Sequence, residues 1–134
     1  MTLKQFKGHP VVLYFYPKDD TPGCTKEACA FRDARTDYEL AGAKVLGVSP
    51  DDVKSHKKFV TKYELPFTLL ADPETKACQA YEVWKEKSMY GKTYMGVERT
   101  TFVIDKAGKV AKVYPKVKVD GHSDDVLETL RGLR

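Results

Sequence analysis

No stretch of this 134-residue chain approaches the roughly 18 consecutive apolar residues of a membrane-spanning helix. The opening, Met1-Thr2-Leu3-Lys4-Gln5-Phe6, is too polar for a secretory signal. Both absences point to a cytoplasmic protein with no membrane partner. Cysteine is scarce: three residues, an odd count and too few for a disulfide scaffold. Histidine is equally scarce, and His9, His56 and His122 stand nowhere near a cysteine with zinc-like spacing, which argues against a structural metal. Charge of one sign never accumulates. The 23 Lys+Arg against 19 Asp+Glu leave a net +4, spread without the basic, aromatic-studded stripe of a nucleic-acid surface. There is no internal repeat, low-complexity tract or linker. What remains is a chain that is 42% hydrophobic, enough for a core of its own, and of a length that suits one domain over residues 1–134.

Val11-Val12-Leu13-Tyr14-Phe15-Tyr16 is continuously apolar and rich in β-branched and aromatic residues, as in a strand buried on both faces. Pro17 ends it. A helix is expected from Thr25 to Leu40, with Ala28, Phe31, Arg35 and Tyr38 three or four apart. Thr21 serves as N-cap and Pro22 as first helical residue. Lys44–Ser49 reads as a second strand, 52–63 as a helix opened by Ser49-Pro50-Asp51-Asp52, and Phe67–Leu70 as a third strand. A helix follows from Asp72-Pro73-Glu74 to Tyr81. Residues 85–98 read as a loop, with Trp84, Met89, Tyr90, Tyr94 and Met95 bordering a pocket. Arg99–Ile104 and Val110–Tyr114 form a hairpin around Asp105-Lys106-Ala107-Gly108. Ser123-Asp124-Asp125 caps a last helix to Gly132. Early strands alternating with helices imply parallel pairing, and the late hairpin adds antiparallel strands. The expected fold class is α/β, a central mixed β-sheet flanked by helices.

Cys24 falls in the first turn of the first helix. N–H groups there lack intrahelical partners, and the helix dipole adds positive potential. Both favour a thiolate, the nucleophilic form of cysteine. Thr21 is close enough in sequence for its hydroxyl to reach the sulfur or a bound ligand. Pro17 shapes the loop and shields the sulfur, and Pro22-Gly23 brings bare backbone near whatever the sulfur attacks. Cys29 lies five residues on. On an intact helix that offset separates the Cα atoms by roughly 8.6 Å, whereas a disulfide needs less than about 7 Å. If the two bond, the first turns must unwind.

Pro17-x3-Thr21-x2-Cys24, within the run Tyr14 to Cys29, resembles the active-site pattern of peroxiredoxins, in particular the bacterioferritin-comigratory-protein (BCP, PrxQ) subfamily. The likeness continues through Lys44–Ser49, Leu65–Leu70 and Glu98–Asp105. It implies a thioredoxin-like fold and reduction of hydrogen peroxide and organic hydroperoxides without a cofactor. It casts Cys24 as the peroxidatic cysteine, oxidised to a sulfenic acid. Cys29 becomes the resolving cysteine, closing an intramolecular disulfide reduced by thioredoxin or glutaredoxin, and Arg99 the active-site arginine. It also implies a monomer.

Three features depart from that pattern. Relatives begin earlier, with a β-hairpin that this sequence does not contain. Glu82 stands where a glycine is expected after Tyr81. Cys78 occupies a helix position usually held by a small residue, and reads either as a buried hydrophobe or as a second resolving cysteine. Two other functions stay open on the residues: a redox sensor that uses the Cys24/Cys29 switch to change partners, and a general disulfide oxidoreductase, although that class wants Cys-x-x-Cys.

Overall fold

The computed structural model describes residues 3–133, the side chains of Leu3, Lys4 and Met89 excepted. After a short 3-10 turn at Leu3–Phe6 the elements run β1 Val11–Phe15, α1 Pro22–Asp33, α2 Arg35–Leu40, β2 Lys44–Ser49 and α3 Val53–Tyr63. They continue with β3 Thr68–Ala71, α4 Lys76–Ala80, β4 Trp84–Met89, β5 Lys92–Val97, β6 Thr100–Ile104, β7 Val110–Tyr114 and α5 His122–Arg131. Five strands form one sheet in the order β3-β2-β1-β6-β7. The pairs β1–β2 and β2–β3 are parallel, β1–β6 and β6–β7 antiparallel. The expected mixed sheet flanked by helices is the one observed.

β1 is central, and all five of its residues are buried. Its period of two divides the core. Val12, Tyr14 and Tyr16 pack with Cys24, Ala28 and Phe31 of α1, Tyr38 of α2, Phe59 of α3 and three residues of α5. Val11, Leu13 and Phe15 pack on the other face with Cys78 of α4, Val83 and Val97. An uninterrupted apolar run is what a strand covered on both faces requires.

Several expectations need correction. Residues 85–98 are not a loop: β4 and β5 pair in full register from Trp84↔Val97 to Met89↔Lys92. The connection Tyr90-Gly91 has both residues at positive φ, 53° and 77°, as tight hairpin turns demand. Strands so rich in lysine and exposed side chains hide their pattern, because the hairpin's partner is mainly itself. The helix expected over 25–40 is two helices, broken at Ala34 (φ −92°, ψ 12°). Arg35 is not on the buried face; it is exposed and pairs with Glu39 at 2.8 Å. The helix after Asp72 shortens to Lys76–Ala80, with the Asp72 carboxylate accepting from the Ala77 and Cys78 N–H groups. The last helix is capped by Gly121, not Ser123, which is buried against the Tyr38 hydroxyl. Glu82 does sit in the left-handed region, at φ 59°, where a glycine would be free of strain.

Candidate active site

Cys24 is the third residue of α1. Thr21 is its N-cap, in extended conformation, and Pro22 takes the first helical position. Thr25 donates its N–H to the Thr21 carbonyl at 2.8 Å, so the N–H groups of Gly23 and Cys24 precede the helical ladder. Cys24 is only 2% exposed. The Thr21 hydroxyl makes no capping bond. It donates to the Lys18 carbonyl at 2.9 Å instead, which leaves its oxygen able to accept. Pro17 sits half-buried in the bend that follows Tyr16.

Arg99 reaches this turn from 75 residues away in sequence. The sheet explains how: Phe15 at the end of β1 pairs with Thr100 at the start of β6, so the chain entering the Cys24 turn lies beside the residue preceding β6. Arg99 donates from Nη2 to Cys24 Sγ at 3.2 Å and from Nη1 to Glu27 Oε1 at 2.6 Å. Gly23 makes room for it: a Cβ there would lie 3.2 Å from Nη2. A guanidinium against the sulfur stabilises negative charge permanently, since arginine does not give up its proton.

Glu27 is the residue that sequence reasoning missed. It is 1% exposed, with Oε1 on Arg99 and Oε2 unpartnered. Burial outweighs the attraction of Arg99 and pushes its carboxyl up to about 7. The signal was available: three residues after Cys24, Glu27 occupies the same inward face of α1, where an acid without a partner would be costly. Beneath the turn, the Tyr14 hydroxyl is also buried and unpartnered. Burial, then the charges of Glu27 and Cys24, raise its pKa.

Cys29 lies on the same intact helix as Cys24, half-buried and unbonded. Cys78 packs on the opposite face of the sheet, with its thiol pushed up to about 12 by burial and the nearby Asp72 carboxylate. The sheet separates it from Cys24, so Cys78 is a core residue. Of the residues expected to border a pocket, Trp84 is half-buried against the second core cluster, and Tyr90, Tyr94 and Met95 are exposed. The Met89 side chain lies outside the described residues. Lys87 of the same hairpin lays its stem over Gly96. Its pKa is lowered by burial and then by the charge of Arg99.

A buried thiol in a helix's first turn, facing a guanidinium held by a carboxylate, is the setting of a nucleophile that develops charge. Residues 1–113 match the AhpC/TSA family. The chain belongs to that family. Within AhpC/TSA it is similar to peroxiredoxin Bcp of Bacillus subtilis, 51% identical over 131 residues, covering 98% of this chain and 83% of the relative. Peroxiredoxin Bcp of Escherichia coli is 44% identical over 131 residues, covering 98% and 84%. Among solved structures, the bacterioferritin comigratory protein of Xanthomonas campestris, studied for alkyl peroxide reduction, superposes with a TM-score of 0.94. It is 47% identical and covers 98% of this chain and 84% of its own. This AhpC/TSA member is thus a Bcp/PrxQ-type peroxiredoxin with a thioredoxin-like fold, a thiol peroxidase and an oxidoreductase. No described helix is long and apolar enough to cross a membrane.

Proposed function

We propose that Cys24 is the peroxidatic cysteine and Cys29 the resolving cysteine of this peroxiredoxin, with Arg99, Glu27, Thr21 and Pro17 forming the reacting pocket. The observation that carries the reading is the Arg99 contact, 3.2 Å from Cys24 Sγ and fixed from behind by Glu27. The Cys24 thiolate attacks one oxygen of a hydroperoxide, the O–O bond breaks, and the leaving alkoxide or hydroxide takes a proton. Cys24 becomes a sulfenic acid. Arg99 and the free N–H groups of the first turn stabilise charge on the oxygens as the bond breaks. The Thr21 oxygen accepts a hydrogen bond from the peroxide. Pro17 closes the loop side against water.

The first turns of α1 then unwind, the Cys29 thiolate attacks the sulfenic sulfur, and the S–S bond forms with loss of water. A dithiol reductant of thioredoxin or glutaredoxin type returns both thiols, giving two electrons per cycle. Hydrogen peroxide and alkyl hydroperoxides are the substrates, in line with the activity studied for the Xanthomonas campestris relative. Residues 1–134 act as one monomeric, cytoplasmic domain, with no nucleic-acid or membrane partner and no cofactor.

The test is thioredoxin-coupled peroxide consumption. Cys24→Ser abolishes it. Cys29→Ser retains one oxidation to sulfenic acid per chain and loses turnover. Turnover surviving in Cys24→Ser overturns the assignment. Stoichiometric oxidation of the wild type without turnover makes the protein a sensor.

A further inference from the structure

His56 of α3 faces an acceptor from each ring nitrogen. Nδ1 lies 2.7 Å from Asp19 Oδ2, and Nε2 lies 3.0 Å from the Leu70 carbonyl oxygen. A neutral imidazole has one N–H, so one of these contacts would set two lone pairs against each other. Only the imidazolium satisfies both. The His56 and Asp19 side chains are 5% and 4% exposed, so water cannot repair a mismatch. Asp19 is held further by the Tyr16 hydroxyl on Oδ1 at 2.5 Å and by the Ser55 hydroxyl on Oδ2 at 2.8 Å. Its backbone N–H donates to Asp51 Oδ2 at 2.7 Å. The residue pinned in this way stands in the middle of the segment from Pro17 to Thr21 that leads into the Cys24 turn.

We propose that His56 is a positioning residue for the peroxide reaction: its doubly protonated ring clamps Asp19, holds the segment from Pro17 to Thr21 in register with Cys24, and releases it on deprotonation. Among the described residues, the polar and charged groups facing the ring come from four places. The loop after β1 supplies Asp19 and Tyr16, the turn after β2 supplies Asp51, β3 supplies only the Leu70 carbonyl, and α3 itself supplies Ser55. Burial works against the imidazolium, yet the Asp19 carboxylate, the Leu70 carbonyl and Asp51 hold His56 above its ordinary value. Burial likewise opposes the Asp19 carboxylate, yet His56, Tyr16 and Ser55 keep it below its own. The clamp is therefore closed below the raised His56 pKa and opens as pH rises through it. Asp19 protonates only in acid.

The inference rests on the assignment of Cys24 as the reacting sulfur, and the experiment separates the two. Asp19→Asn keeps the shape but lets the amide donate to a neutral His56 ring, which still donates to Leu70. His56→Gln removes the cation. Single-turnover oxidation of Cys24 by hydrogen peroxide is measured for each variant from about pH 6 to about pH 9. Taking the ratio of each variant to the wild type at the same pH removes the pH effects the two share. The ratio for Asp19→Asn is expected to start near one and rise at least about threefold at high pH. That for His56→Gln starts at least about threefold low and rises towards one. Nuclear magnetic resonance of the His56 ring reads the clamp without any chemistry at Cys24, and it is expected to titrate above 6.5 and to shift down in Asp19→Asn. Ratios that do not change with pH, or a ring that is neutral throughout, overturn the proposal. If His56→Gln does not fold, Asp19→Asn and the ring titration decide. If Cys24 proves unreactive while the ring titrates as expected, the assignment of Cys24 fails and the clamp stands as a device of the fold alone.

Discussion

Glu27 and Arg99 show how much one pair, buried at its carboxylate end, determines. Arg99 is useful to Cys24 only in the position Glu27 gives it, with one guanidinium nitrogen on each partner. Glu27→Gln keeps the shape and, above about pH 7 where Glu27 is ionised, removes the charge. It is expected to slow oxidation of Cys24 by hydrogen peroxide roughly ten- to a hundredfold, the scale of a small misplacement of a positioned group, with the far-ultraviolet circular dichroism unchanged. Rapid-mixing kinetics of the first step measure it. Glu82 is a different case, an exposed residue held at φ 59°. Left-handed backbone costs an ordinary L-residue roughly 1–2 kcal/mol, and glycine gives back about 0.5–1 kcal/mol through its freer unfolded chain. Glu82→Gly is therefore expected to stabilise the protein by about 0.5 kcal/mol in chemical denaturation, with peroxidase activity unchanged.

At the scale of the element, α1 carries two incompatible demands. In the proposed cycle its first turn presents Cys24 to peroxide, and the same turn keeps Cys29 out of reach. The oxidised protein should therefore lose hydrogen-exchange protection in the first half of α1 while keeping it in β1 and β6. Cys24→Ser, treated identically, should keep it everywhere. The segment ahead of α1 supplies fixed points for such a motion: Asp19 is pinned to α3, and the carboxylate of Asp20, at φ 56°, accepts from Lys62 at 2.7 Å and from the Tyr63 hydroxyl at 2.9 Å. Unwinding is expected to stop there, leaving exchange in α3 unchanged.

For the whole molecule, two buried titrating groups set opposite pH trends. Glu27 is raised to about 7 from 4.5 by burial. The folded state binds this proton more tightly than the unfolded chain, so stability is lost as pH rises from about 4.5 to about 7. His122 is lowered to about 4 from 6.5, again by burial first, with Nε2 2.8 Å from the Thr101 hydroxyl. Its folded form resists protonation, so stability is lost as pH falls from about 6.5 to about 4. Between those limits the two slopes cancel, and unfolding free energy should be nearly flat with pH. Removing Glu27 as Glu27→Gln exposes the His122 slope: stability should then rise with pH by up to about 1.4 kcal/mol per unit across that window. Urea unfolding at several pH values reads this directly. A Glu27→Gln protein as flat as the wild type would show that Glu27 is not a titrating group there.

The order of strands and helices was legible because burial on both faces leaves an unbroken apolar run, as in Val11–Tyr16, and because caps such as Asp52 act locally, here on the Ser55 N–H at 2.8 Å. The place of Cys24 in a helix's first turn was legible for the same reason: that turn is defined by its neighbours in sequence, and the run from Pro17 to Cys24 carries the family pattern. The β4–β5 hairpin was not, because its strands are polar and pair chiefly with each other. Nor was the break at Ala34, where nothing in the local sequence interrupts the helical period. The partners of the sulfur were decided only by the sheet. Pairing of β1 with β6 sets Arg99 beside Cys24, burial turns Glu27 from a surface acid into the support of Arg99, and packing of α3 brings His56 onto Asp19. Sequence alone determined which sulfur stands in a helix's first turn. The tertiary structure decided which charges surround it, because those charges act through distances that only the fold makes short.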